Sequence, residues 1–504
     1  MEINQLKTGA LLSYISIVLN NIIGLLYIPF MLRMMGQTEY GLYSLVASVV
    51  AYLTVLDLGF GNAIVRYTAK FRAEKKQKEQ YEMFGMFFVL YSIIGVVAFL
   101  IGLGLYFNID YLFDRTMDMN ELRKIHIMML LMVFNIAITF PLSIFGSIIT
   151  AYENFVFQKL VNIIRIILNP LVMCIMLLMG YRAIGMVVIT TLFNIATLLI
   201  NWWYCYSRLN IHIIIGKFNW PFLKEVAIYS FWIFLNAIMD RIYWSSGQFI
   251  LGVYAGAKAV AVYAVAISLE NIYMSFSTAI SGVFLPKVTG MVIKEQNEKA
   301  VSDLFIRTGR IQYIVMSFIL IGFILFGKWF IILWAGDNYE EAYYITLLFF
   351  IPLTIPLIQN LGITILQARN QMQFRSVLYV TIAIGSLILS IFLAKLYGGI
   401  GCAISTALAL IIGQIIIMNV YYFKKVGIDI PVFWKEIGKM SIVPFFIGLI
   451  GYFILKKLVL DSLFLLLGGI SIFTLVYLPA FWFLSMNTYE RELLSKPIKR
   501  ILRR

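Results

Sequence analysis

The chain has 504 residues, of which 62% are hydrophobic and only 13% charged, with a mean hydropathy of +0.90. A soluble fold of that composition would lack the polar surface to cover itself, so its solvent must be lipid. The stretches between apolar runs are too short for a soluble domain, and the formal net charge of +15 must sit in the loops that join them.

Apolar runs of about 18 residues or more cross the ~30 Å hydrocarbon layer as helices. The first, 9–32, is too long for a signal-peptide core and is expected to stay as a span; it carries Asn20 and Asn21. The second, 41–65, places Asp57 nine residues before Arg66, ~13 Å along a helix and so near the midplane. The third, 83–107, leads into a loop, 108–124, with Asp110, Asp114 and Asp118. That loop is too small for the external catalytic loop of a membrane polymerase or glycosyltransferase, so no enzyme is expected. Runs 125–150, 160–180 and 183–205 follow, with Arg165 about four residues into the second of them.

After a stretch at 211–225 that reads as a linker, 227–252 carries Asn236, Asp240 and Arg241, and 260–286 carries Glu270 and Asn271. Lys328 lies near the outer end of 311–335; Gln359 and Asn360 lie in 342–366, which also holds Pro352 and Pro356. Runs 377–394 and 399–422 are separated by a turn at Gly398–Gly399, and 440–455 and 462–485 precede a basic tail. The expected fold is all-α and polytopic, with fourteen spans; twelve is the alternative count.

Lys and Arg in the loops set the orientation. The N-terminus and alternate loops, taken as one side, hold 28 basic residues against 13 acidic ones, which accounts for the whole net charge of +15. The other side nets zero. The basic side is therefore the cytoplasmic one, and an even number of spans puts both termini there. Topology and attraction to anionic headgroups of membrane lipids account for these charges without nucleic acid.

The two halves of the chain resemble each other. Leu19-Asn20-Asn21-Ile22 matches Leu235-Asn236-Ala237-Ile238; Gly36, Tyr43 and Ser48 match Gly256, Tyr263 and Ser268; Pro141-Leu142 with Gly146 echoes Pro356-Leu357 with Gly362. These pairs fall in order at nearly constant separation. A six-span unit that occurs twice in the same orientation is a transporter design, with a central cavity between repeats. The last two spans lie outside the repeat.

Six charges fall within apolar spans: Asp57, Arg165, Asp240, Arg241, Glu270 and Lys328. Each costs at least ~2.5 kcal/mol near a helix centre, so each is expected to face the protein interior or a water-filled cavity. Arg241 either pairs with Glu270 or Asp57, or binds an anionic headgroup through its fork of donors. Asp57, Asp240 and Glu270 are the candidate ion-coupling or gating groups. Arg165 and Lys328 either line a basic lumen or snorkel to the interface. Asn20, Asn21, Asn236, Asn271, Gln359 and Asn360 either glue helices together or line a wet, sugar-accommodating cavity.

Chemistry is otherwise sparse. There is no G-x-x-x-x-G-K-[ST] segment for nucleotide hydrolysis, and His126 and His212 lack H-E-x-x-H or triad context. Cys174, Cys205 and Cys402 have no metal or disulfide spacing. No catalytic residue, metal or cofactor is expected.

The stretch Leu32-Arg33-x-x-Gly36-x-x-Glu39-Tyr40-Gly41-Leu42-Tyr43-Ser44, then Leu56-Asp57-Leu58-Gly59-Phe60 and Arg66, resembles the opening of the bacterial polysaccharide transporter family. The turn Ala151-Tyr152-Glu153-Asn154 is similar as well. Members are lipid-linked oligosaccharide flippases of O-antigen, lipopolysaccharide and capsule synthesis, within the multidrug/oligosaccharidyl-lipid/polysaccharide exporter superfamily. The resemblance implies two pseudo-symmetric six-helix lobes in a V shape, 1–210 and 226–425, joined by 211–225, with 426–504 holding two further spans and the tail. It implies a polyprenyl diphosphate-linked glycan carried across the bacterial cytoplasmic membrane by alternating access, with H⁺ or Na⁺ coupling and with polymerase and glycosyltransferase partners. Arg165, Arg241 and Lys328 are the candidates here for the family's cationic lumen. Lipid II flippases and cation-coupled multidrug exporters share the fold and are the alternatives.

Overall fold

The computed structural model describes residues 5–216, 219–294, 298–369, 371–458, 460–493 and 495, without the side chains at 6, 7, 228, 229, 232, 233, 236 and 282–294. Every described element is helical. In hydrocarbon a backbone N–H or C=O has no water to turn to, so an apolar run satisfies its polar groups internally.

In chain order the helices are α1 (Gln5–Met35), α2 (Gln37–Leu53), α3 (Phe60–Ala73), α4 (Gln77–Phe107) and the short α5 (Ile109–Phe113). Then come α6 (Met119–Ala151), α7 (Phe155–Leu178), α8 (Ala183–Ser207), α9 (Trp220–Tyr254), α10 (Gly256–Lys294) and α11 (Glu298–Ala335). The remainder are α12 (Glu341–Ile358), α13 (Leu361–Ala368), α14 (Met372–Ala409), α15 (Met418–Tyr421), α16 (Ile430–Leu455) and α17 (Leu463–Leu484). Two π-helical segments, Leu410–Ile417 and Tyr422–Val426, flank α15 and continue the line of α14.

Twelve helical stretches among the described residues are long and apolar enough to cross a membrane, where fourteen spans were expected. The difference lies at two places. Met372–Val426 counts as one stretch of 55 residues, although Gly398 (φ 54°, ψ −130°) breaks the helix at the expected turn. The 35-residue α9 is not among the twelve; it begins inside the stretch read as a linker.

Two expected spans are broken where the sequence reads as continuous. The run 41–65 stops at Leu53, makes a 3₁₀ turn over Thr54–Asp57, and restarts at Phe60. Leu58 (φ 54°) and Gly59 (φ 73°) are both left-handed, which ends the first helix and re-aims the second. The run 342–366 is likewise interrupted at Gln359–Asn360, just beyond Pro352 and Pro356.

The chain forms two compact units, Met1–Ala264 with Ala383–Cys402, and Val265–Ile382 with Ala403–Arg504. In the first, α4 and α8 run along α6, α2 and α3 pack on it, and α1 pairs with α7. Phe84, Phe87, Tyr91 and Phe145 fill its interior. Without a hydrophobic force between helices in lipid, close backbone approach matters. A Cβ at Gly41 would stand 1.8 Å from the Ala257 carbonyl oxygen, so only glycine lets these two segments meet. In the second unit α11 is the axis for α12, α16 and α17. Leu325, Phe326, Met440, Phe473, Tyr477 and Phe481 make the core that seats the last two helices on it. Large apolar side chains such as Leu26, Leu100 and Leu475 point outward, as lipid-facing surfaces require.

Candidate functional site

Asp57 sits at the end of the 3₁₀ turn that divides the second span. Its carboxylate is half-buried and accepts a 2.7 Å hydrogen bond from the Tyr91 hydroxyl on α4. The Gly59 backbone N–H faces it as well. Tyr91 is held in turn, edge-on to Phe60 and parallel to Phe140. An acidic group thus lies at a helix break within a candidate span, Gln37–Ala73, beside the start of α3, where a helix N-terminus favours negative charge. Broken helices at membrane depth are the usual way transporters expose backbone and side-chain ligands.

Elsewhere in the first unit, Asn20 is exposed and Asn21 half-buried on α1, and Arg165 is half-buried on α7. Asp240 and Arg241 are both exposed on α9, while the side chain of Asn236 lies outside those described. Arg165 and Arg241 enter no ion pair among the described residues. In the second unit Glu270 is only 1% exposed on α10, and its Oε1 has no hydrogen-bond partner among the described atoms. Its neighbour Asn271 is exposed and donates to its own helix, to the Ile267 carbonyl at 2.8 Å.

The remaining candidates are engaged with neighbours. Gln359 is buried and exchanges hydrogen bonds with Asn419, Nε2 to Oδ1 at 2.8 Å and the return bond at 3.3 Å. Trp434 Nε1 donates to the same Asn419 Oδ1 at 3.1 Å, so this amide pair ties the break after α12 to α15 and α16. Asn360 donates to Ser281 Oγ at 3.2 Å. Lys328 pairs with Glu340 at 2.7 Å, both partly exposed near the C-terminal end of α11.

Three buried polar arrangements carried no sequence signal beyond their motifs. Glu39 is buried, pairs with Lys124 of α6, and accepts the Ala183 N–H at 3.3 Å at the start of α8. The motif glutamate therefore joins three helices. At the α6–α7 corner Arg72 lies 4.2 Å over the Tyr152 ring and donates to the Ala151 carbonyl at 3.1 Å. Gln80 donates to the Tyr152 hydroxyl at 2.7 Å, and Glu153 takes the left-handed turn (φ 58°). In the second unit Arg310, which falls just before the expected run 311–335 and so among the loop charges of the basic side, is 5% exposed. It holds Glu490 through two bonds, of 2.5 and 3.1 Å, and Glu436 through a third of 2.7 Å.

The family model described as "Polysaccharide biosynthesis protein" matches residues 6–292. The fold is similar to that of a solved structure of the lipid II flippase MurJ in an inward closed conformation. That likeness has a TM-score of 0.74 at 17% identity and covers 97% of this chain and 99% of that one. An inward-facing multidrug resistance MATE family transporter of the MOP superfamily matches with a TM-score of 0.60 at 16% identity, over 78% of this chain and 96% of that one. A MOP superfamily transporter from Pyrococcus furiosus matches at 0.53 and 14% identity, over 84% of this chain and 95% of that one. At such identities the likeness establishes the fold alone. Among curated proteins, none matches this chain in sequence.

Proposed function

The chain belongs to the polysaccharide biosynthesis protein family, and on that premise we propose that it is a flippase for polyprenyl diphosphate-linked oligosaccharide repeat units. On this reading it carries them from the inner to the outer leaflet of a bacterial cytoplasmic membrane, by alternating access between two like-oriented repeats, with both termini in the cytoplasm. A glycan and its diphosphate cannot cross hydrocarbon unaided, because each unpaired polar group costs several kcal/mol there. The isoprenoid tail stays in lipid while the head passes through the protein.

The observation that carries this reading is the pair Asp240–Arg241, exposed in the middle of a long helix in an otherwise apolar chain. Charges in such a place must meet water or a polar cargo. Arg241, with no ion pair of its own among the described residues, supplies a fork of donors suited to a diphosphate. Arg165 extends the cationic lining, and Asn20, Asn21 and Asn271 offer hydrogen bonds to sugar. Asp57 and Glu270 are the groups for H⁺ or Na⁺ coupling. An interior-negative potential drives an anionic head outward by about 2.3 kcal/mol per charge per 100 mV, so nucleotide is not required.

Depleting the protein and fractionating the lipids tests the assignment. The flippase reading requires lipid-linked repeat units to accumulate on the inner leaflet; unchanged lipid pools would overturn it. The second reading is a lipid II-type cargo, that of the flippase whose structure shares this fold. In that case the accumulating lipid is the peptidoglycan precursor.

A further inference from the structure

The segment between α4 and α6 belongs to the loops whose charges cancel, on the side opposite the basic loops. It is a built wall. Ile109 and Phe113 of α5 are buried, and Phe113 meets Phe249 of α9 edge-on at 6.1 Å. The Thr116 hydroxyl donates to the Gly252 carbonyl at 2.7 Å, and Asp118 with Glu121 forms a capping box that fixes the start of α6.

Between this wall, the end of α4 and the end of α9 opens a cleft of about 1460 Å³. Its lining combines aromatic rings with paired hydrogen-bonding groups. Tyr111 is 88% exposed, so both faces of its ring are free. Tyr254 contributes a second ring, with Lys395 Nζ 4.8 Å from its centre. Asp110, Asp114 and Asn120 supply acceptors, and Arg115 and Arg123 supply donors. His126, 3.8 Å from Asp110, closes the wall against Tyr106.

The balance of charge selects the ligand. Among the residues that line the cleft two carboxylates and two guanidiniums cancel, a balance that suits neither a phosphate nor a cation; Lys395, held over Tyr254, is not one of them. The free faces of Tyr111 accept the weakly positive C–H face of a pyranose ring, while flanking carboxylates, amide and guanidiniums match its hydroxyls in both hydrogen-bonding senses. The cleft is larger than the ~300–1,000 Å³ typical of small-molecule sites, which leaves room for several sugar rings.

We propose that this cleft is an oligosaccharide-binding site, on the face of the membrane opposite the basic loops and apart from the intramembrane charges. It is a place for a glycan head to dock once it has crossed. Which glycan rests on the flippase reading; the cleft's sugar chemistry does not.

The test uses the full-length protein in lipid nanodiscs. The probe is the lipid-free oligosaccharide that mild acid releases from the polyprenyl diphosphate carrier of the cells that make the protein. Saturation-transfer NMR is expected to show contact with sugar-ring protons, and titration a Kd raised at least tenfold by Tyr111→Ala and by Arg123→Ala. Both side chains are exposed, so the variants should keep the parent's melting midpoint. Absence of transfer, or titrations unchanged in both variants, would overturn the proposal and leave these aromatics as interfacial anchors. A flipping assay on the same samples separates the two readings. A protein that flips its lipid-linked glycan but ignores the free one loses the cleft alone. One that binds the free glycan but flips nothing loses the transport reading alone.

Discussion

Tyr91→Phe removes a single hydroxyl at the broken second span. The Tyr91 side chain is 1% exposed, and its ring contacts with Phe60 (6.2 Å) and Phe140 (6.4 Å) are ones a phenylalanine keeps. Only the hydroxyl goes, and with it the 2.7 Å bond to Asp57 and the bonds it accepts from the Ser143 side chain and the Gly61 N–H. A hydrogen bond to a charged group contributes about 1.5–3 kcal/mol. Asp57 is half-buried, so other donors replace part of that, and the lower end, ~1.5 kcal/mol, applies. If orienting Asp57 limits the transport step, that energy is about a tenfold loss of rate. The assay is the rate of glycan export in depleted cells carrying the variant, with abundance in the membrane fraction measured in parallel. Tyr91→Phe should lower the rate by up to about tenfold at normal abundance, and Asp57→Ala by at least as much. Wild-type rates in both variants would refute the reasoning and return Asp57 to a structural role.

Arg241→Ala should impair export while leaving membrane abundance unchanged, because the side chain is exposed and makes no described ion pair; export at the parent's rate would remove it from the substrate path. Arg310→Met leaves the buried Glu490 without its cation, while Glu436 keeps Lys439 at 2.8 Å, and breaking a buried pair costs about 3–5 kcal/mol. A clearly lowered melting midpoint in detergent is expected, and an unchanged one would show that the cluster does not hold the tail in place. Lys328→Ala removes an ion pair that is about half exposed, worth at most ~1 kcal/mol. Export and melting should both stay near the parent's; a transport defect would put Lys328 back in the lumen.

Most helices were legible because hydrocarbon leaves an apolar run no other way to satisfy its backbone. The breaks were harder to read. Leu56-Asp57-Leu58-Gly59-Phe60 contains no proline and keeps its apolar character, so the run looks continuous. A glycine after a helical stretch is a common stop signal, but the left-handed turn at Leu58 and Gly59 is shared with Tyr91, which lies 34 residues from Asp57. The fate of a charge depended on partners farther away. Arg310 looked like one more cytoplasmic cation, and its burial depends on Glu490, 180 residues on. Lys328 is tied down by Glu340 across a single turn between helices. Glu39 stood out only as a motif position; that it joins Lys124 and Ala183 is a property of the packed helices. Apolar periodicity carries no information about which polar groups meet.

The most direct measurement places the purified protein in liposomes with polyprenyl diphosphate-linked oligosaccharide in both leaflets and adds a membrane-impermeant glycan-modifying enzyme outside. The account predicts that the protected inner half becomes modified at a rate that rises with protein content and falls in Arg241→Ala. Protection equal to that of protein-free liposomes would contradict it.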